Sequence, residues 1–360
     1  MSGLAAEFIP VRVTEKTVWL FVSLSDGQLT GWGEATLDGQ EQAVECLFKD
    51  LPFPLSLKDL QQLAFDTLPD AALSSALLQA QADLRARRDG KVLSDSLGGI
   101  LQSRIGVYAN INRRTKDRSA EGMALSAKDA LRAGYEAIKI APFDEVHPEM
   151  NASEMNKAME AGLSRIAAVR DAIGERRLMV DCHWRFNFNG ARALIDACSP
   201  FSVYWIECPI AETTETIPLL KSLRSHANVS GLRLAGLEMQ IRREGFRPYL
   251  EAGTYDVMMP DVKYCGGPQE MMAIAADLES YGVDFSPHNP SGPICHLHSL
   301  HVCAALSETE LLEMQFDETP LFDSLTGRAL PSVSGGRIAL AENCPGLGVT
   351  LILSELKELI

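Results

Sequence analysis

The sequence predicts an α/β protein: a (β/α)₈ barrel of the TIM type with an α+β N-terminal capping domain that the C-terminal tail completes. Three observations carry this. From about Val107, short apolar runs alternate with amphipathic segments, the signature of strands alternating with helices around a parallel sheet. Eight such units fit into about 210 residues, the number and size a closed barrel requires. The alternative, a six-stranded doubly wound sheet, is weakened because no GxGxxG follows the first strand. The expected domains are 1–105 (capping), 106–319 (barrel) and 320–360 (returning segment).

In the first hundred residues, "VWLFVSLSDG" and "LTGWGEATL" form two strands joined by an Asp-Gly turn. Helical patterns follow near 39–49, 57–67 and 71–88, the last Ala/Leu-rich with a glycine stop. The barrel strands are expected at "VYANI", "EAIKIA", "RLMVD", "VYWIE", "RLAGLE", "DVMMPD", "VDFSPH" and "LLEMQ". Helical segments between them include 154–173, 214–225, 242–252 and 268–281. After Pro320 the chain turns to "RALPSVSGGRIALAENCPGLGVTL", rich in turns and short strands, which is expected to pack back on the N-terminal segment.

Of 360 residues, 46% are hydrophobic and the net charge is −15. That supports a substantial core and argues against nucleic acid or a membrane surface as partner. The opening "MSGLAAEFIPVRV" lacks the basic start and apolar core of a signal peptide, and no run approaches the length of a bilayer span. The eight cysteines contain no CxxC pair. Reduced thiols and a cytoplasmic location are expected.

Function is expected where the strands end, because the C-terminal ends of barrel strands face the active site. "LMVDCHWRFNFNG" ends a strand in Asp181, and His183 follows by two, the spacing that puts both side chains on one face. The next two strands end in Glu207 and Glu238. Carboxylates on three consecutive strands converge and repel, and a hard cation with oxygen ligands resolves that repulsion, which points to Mg²⁺ at Asp181, Glu207 and Glu238. Asp261 and His288 end adjacent strands. An aspartate accepting an imidazole N–H fixes the tautomer and leaves the other nitrogen basic, making His288 a candidate general base.

In order along the chain, "GWGEA", "ALLQAQADLRARRDGKVLSDSLGG", "VDCH", "IECP", "GLE", "PDVKYCGG", "SPHNPSGP" and "CPGLGVTL" resemble the enolase superfamily in its mandelate racemase/muconate lactonizing enzyme-like branch. The resemblance implies abstraction of the proton α to a carboxylate, with Mg²⁺ stabilising the enediolate. It implies Glu313 as a protonated hydrogen-bond donor to that enediolate, its pKa raised by burial beside other carboxylates. His183 resembles the general acid of acid-sugar dehydratases, which protonates the departing β-hydroxyl. Lys139 would bind the substrate carboxylate. Arg185 would contact a substrate hydroxyl or distal carboxylate, and Lys263 either faces the site or lies on the surface.

Two departures stand out. Where many relatives carry Lys-x-Lys, this chain has Lys139-Ile140-Ala141, which disfavours lysine-based racemisation. The stretch between Glu207 and Glu238 is longer than in relatives, and its Glu212 and Glu215 are read as helix-start acids. The expected function is therefore Mg²⁺-dependent dehydration of a hydroxylated carboxylate. Racemisation at the α-carbon is the alternative, and a catalytically silent barrel is the alternative of another class. The implied partners are a small-molecule carboxylate and, from relatives, copies of the same chain. "CHLHSLHVC" matches no common zinc spacing and is discounted.

Overall fold

The structure, a computed structural model, describes residues 3–327, 330–340 and 344–352. The rest of the expected returning segment (328–329, 341–343 and 353–360) lies outside the described residues. The chain opens with a three-stranded antiparallel sheet: β1 (Ala5–Arg12), β2 (Val18–Ser25) and β3 (Thr30–Glu34). The β2–β3 turn is the expected one, with Asp26 Oδ1 accepting from the backbone N–H groups of Gln28 and Leu29. β1 is an addition to the sequence expectation. It is an edge strand carrying Pro10 and burying only Ile9 and Val11, so its alternation is weak.

The helix Leu68–Arg88 packs across this sheet. A Cβ on Gly33 would lie 1.9 Å from the Ala76 carbonyl oxygen, so only glycine permits this approach. The helix expected over 57–67 stops at Gln61 instead. Thr67 and Asp70 form a capping box with Pro69 behind it, and this starts the next helix.

Eight parallel strands then form the barrel: β4 (Arg104–Asn110), β5 (Ala137–Ile140), β6 (Arg177–Asp181), β7 (Trp205–Glu207), β8 (Arg233–Gly236), β9 (Val257–Met258), β10 (Asp284–Phe285) and β11 (Leu312–Gln315). They follow in chain order around the ring, and β11 pairs with β4. The last seam, between β10 and β11, is held by single bonds such as Glu310 N–H to the Phe285 carbonyl at 2.9 Å. Tyr108, Met179, Trp205, Ala235, Val257 and Met259 form a separate apolar cluster, with Tyr108 edge-on to Trp205 at 5.6 Å. Each large apolar side chain so buried contributes about 1.5–3 kcal/mol. This packing fixes the strands whose ends carry the polar residues.

The C-terminal segment divides. Its hairpin, β12 (Val333–Ser334) and β13 (Arg337–Ala339), pairs antiparallel with β4 of the barrel rather than with the N-terminal sheet. The chain beyond it does reach the N-terminal segment. Leu347 N–H donates to Asp83 and Arg87 donates to the Val349 carbonyl. Cys46, Cys182, Cys198, Cys208, Cys265, Cys295 and Cys303 are free thiols. Among the described residues, no helix is long and apolar enough to cross a membrane.

Candidate active site

At the C-terminal mouth, nine of the ten side chains singled out from sequence join one network of charged contacts. Lys139, fully buried on β5, places Nζ 2.5 Å from Glu207, 2.9 Å from Glu313 and 3.9 Å from Asp181. Asp181 Oδ2 lies 2.8 Å from His183 Nε2, and Asp181 Oδ1 accepts from the His183 backbone N–H at 3.0 Å. His288 Nδ1 meets Asp261 Oδ2 at 2.8 Å, while its Nε2 faces Glu238 at 3.5 Å and Glu313 at 4.0 Å. Lys263 is buried and donates to Asp261 Oδ2 at 2.7 Å and to Ser291. It therefore faces this cluster and not the surface. Arg185 stands apart. Its guanidinium donates to the carbonyls of Asp144 and Val146, tying the loop after β5 to the loop after β6.

Local backbone aims these groups. Asp181 and Glu207 end neighbouring strands in direct register. His183, Trp184, Cys208 and Leu237, which follow the ends of β6, β7 and β8, all take positive φ between 45° and 75°. Residues with a Cβ pay roughly 1–2 kcal/mol each in this left-handed region. Such a cluster persists only where surrounding contacts over-determine it.

The charges settle one another. Burial alone would raise the Asp181 carboxyl, yet His183 and Lys139 hold it at about 2. Burial and the neighbouring carboxylates instead push Glu207 up to about 8 against the pull of Lys139. Asp181 raises His183 to about 9. Burial lowers His288, but Glu238, Glu313 and Asp261 outweigh it, and its pKa rises. The expectation for Glu313 is corrected. Burial raises it, but Lys139, His288 and the Asn289 N–H together bring it below the usual range. Both its oxygens are spent as acceptors: Oε1 from Asn110 Nδ2 at 2.7 Å and from Lys139, Oε2 from Asn289 N–H at 2.9 Å. A carboxylate so placed is an acceptor on both oxygens.

Asp181, Glu207 and Glu238 are buried all-oxygen donors on three adjacent strands, and that donor set fits a hard divalent cation. Among the described residues, no group of three or more His, Cys, Asp or Glu side chains is drawn together at metal-holding spacing. Lys139 and His183 account for this, since they take up carboxylate oxygens of Glu207 and Asp181. The discounted histidines of "CHLHSLHVC" diverge: His296 to Asn289, His298 to the Trp32 carbonyl and His301 to Ser94.

Three residues that sequence reasoning passed over belong here. Asn110 and Asn289 hold Glu313. Glu212, set aside as a helix-start acid, binds Trp184, Leu237 and Tyr255 across three loops, and burial raises its carboxyl to about 7. The one local hint was its place just beyond the strand end in "IECPIAE".

Residues 122–355 match the family described as enolase C-terminal domain-like. The chain is 29% identical over 365 residues to a D-galactonate dehydratase of Ralstonia pickettii, covering 94% of this chain and 91% of that one. It is 32% identical over 251 residues to a D-gluconate dehydratase of Thermoproteus tenax, covering 69% and 48%. In fold it is similar to a mandelate racemase/muconate lactonizing enzyme-like protein from Roseovarius sp. TM1035, with a TM-score of 0.86, 23% identity, and 99% and 95% of the two chains covered. A match over 122–355, in a chain whose parallel strands end in this carboxylate–histidine cluster, means that the protein belongs to the enolase superfamily, in the enolase C-terminal domain-like family.

Proposed function

We propose that the protein is a lyase that dehydrates an acid sugar, removing the α-proton of a hydroxylated carboxylate and eliminating water to give a 2-keto-3-deoxy acid. Two similar proteins are named for dehydrating D-galactonate and D-gluconate, which supports the reaction class. The observation that carries the reading is a pair of Asp-bound histidines just beyond the ends of β6 and β10, strands diametrically opposite in a ring of eight. Such a pair can take a proton on one side of a substrate and give one on the other.

His288 is the proposed base. Asp261 holds Nδ1, so Nε2 is the nitrogen that receives the α-proton, and Lys263 keeps Asp261 ionised. His183 is the proposed acid. Asp181 beside it favours the protonated imidazole, which can pass its proton to the departing hydroxyl, a poor leaving group otherwise. Lys139 and Asn110 are donors beside the substrate carboxylate, and Glu313 holds both of them in place. Asp181, Glu207 and Glu238 would hold Mg²⁺, which when bound would neutralise charge developing on the substrate carboxylate.

The test is a screen of acid sugars with purified protein and Mg²⁺, detecting 2-keto acid with semicarbazide and running parallel samples in D₂O by proton NMR. The expected result is a keto-acid signal abolished by EDTA. Deuterium incorporation without keto acid would replace dehydration by racemisation or epimerisation. Neither signal across the library would overturn the acid-sugar reading.

A further inference from the structure

We infer that Glu212 is a positioning residue: from the loop after β7, one carboxylate holds the turns after β6 and β8, and through them His183 and Glu238. The inference rests on the proposed dehydration. Glu212 Oε2 accepts from Trp184 Nε1–H at 3.0 Å, and Trp184 directly follows His183. Its Oε1 accepts from Leu237 N–H at 2.8 Å, and Leu237 directly precedes Glu238. Tyr255 OH, at the entry to β9, donates to the same oxygen at 2.7 Å. Trp184 and Leu237 both sit in the left-handed region, at φ 56° and 75°. A Cβ on Gly236 would lie 2.4 Å from Glu212 Oε1, so the end of β8 is shaped around this carboxylate.

Three N–H and O–H donors converge on the two carboxylate oxygens, and the Cys208 thiol adds a longer contact to Oε1 at 3.8 Å. A carboxylate suits that arrangement and an amide does not. In Glu212→Gln the amide oxygen can keep Leu237 and Tyr255, but the NH₂ then faces the Trp184 indole N–H. The two tethers therefore separate: the amide breaks the one to His183, and Glu212→Ala breaks both.

The experiment compares wild type, Glu212→Gln, Glu212→Ala, Trp184→Phe and the Gln/Phe double variant. It measures Mg²⁺ affinity by calorimetry, the ratio of α-proton exchange to dehydration, the Trp184 indole N–H resonance and Tm. In Glu212→Gln the indole resonance should move and dehydration should fall about tenfold or more, with exchange and Mg²⁺ affinity near wild type. Glu212→Ala should also lose about 10–100-fold in Mg²⁺ affinity. Trp184→Phe should match Glu212→Gln, and the double variant should be no worse than either, because both break one contact. An unmoved indole resonance, additive losses, or a uniform decline of every readout with Tm would overturn the inference. If Glu212→Ala does not fold, the near-isosteric Gln and Phe variants still decide. If the wild type dehydrates no acid sugar, the functional reading fails, while the indole resonance and Mg²⁺ affinity still test Glu212.

Discussion

The two histidine–aspartate pairs at the barrel mouth use the same residue types and are built in opposite ways. His183 lies two residues beyond Asp181, the last residue of β6. The imidazole bonds through Nε2, its side chain is 45% exposed, and its backbone is left-handed. His288 and Asp261 come from adjacent strands. That imidazole bonds through Nδ1, is 11% exposed, and turns Nε2 toward Glu238 and Glu313. The second pair is locked, with one nitrogen anchored and the other aimed. The first is more open, with Nε2 on Asp181 and nearly half of the side chain exposed. Rigid placement suits a base that must abstract a weakly acidic proton, and an exposed ring suits an acid that must reach a leaving group.

Breaking the locked pair should have the largest effect. His288→Asn is expected to lower both α-proton exchange in D₂O and dehydration by about 10³-fold or more, with Tm within a few degrees of wild type. Exchange at the wild-type rate would remove His288 as base. Breaking the more open pair should separate the two readouts: His183→Asn is expected to cut keto-acid formation by about 10²-fold while exchange persists. Equal loss of both would mean that His183 serves proton removal as well.

Asp261→Asn sharpens the comparison. It keeps the shape of the locked pair but loses one of the three charges, beside Glu238 and Glu313, that raise His288. We expect turnover to fall about 10–100-fold and the lower pKa of the kcat/KM profile to shift down. An unshifted profile would mean that Glu238 and Glu313 set the basicity of His288 without Asp261.

A third type of histidine supplies the contrast in stability. His296 and His298, on the buried helix Pro293–Ala305, are lowered to about 4 by burial, and among the described residues no carboxylate raises them. Their folded pKa lies below the unfolded value of 6.5, so the unfolded chain binds more protons between those values. The stability they lend is complete above pH 6.5 and is lost as pH falls toward 4. At pH 5 the loss is about 2 kcal/mol per histidine. Urea unfolding at pH 7.5 and pH 5 should show it, and His298→Gln should remove part of the difference.

Much of this was legible along the chain. Asp181, Glu207, Asp261 and His288 each close an apolar run, and a strand's period of two is written locally. Where local signals competed, the sequence expectation slipped. Thr67 and Asp70 started a new helix where one continuous helix was expected, and Pro10 with only Ile9 and Val11 buried beside it masked β1. The expected rise of the Glu313 pKa slipped for a different reason. Lys139, His288 and the Asn289 N–H lower it, and no local pattern ties them to it.

The sequence by itself determined the alternation of strands and helices, and with it the ring order that brings β6, β7, β8 and β10 to one mouth. Those are properties of residues a few positions apart. Only the tertiary structure decided which nitrogen of each histidine is held, that Arg185 clamps two loops, and that Glu212 ties three strand ends together. Except for His183 on Asp181, those outcomes are contacts between segments tens of residues apart. They exist because barrel closure brings the loops within hydrogen-bond reach and because left-handed turns, invisible in composition, aim the side chains.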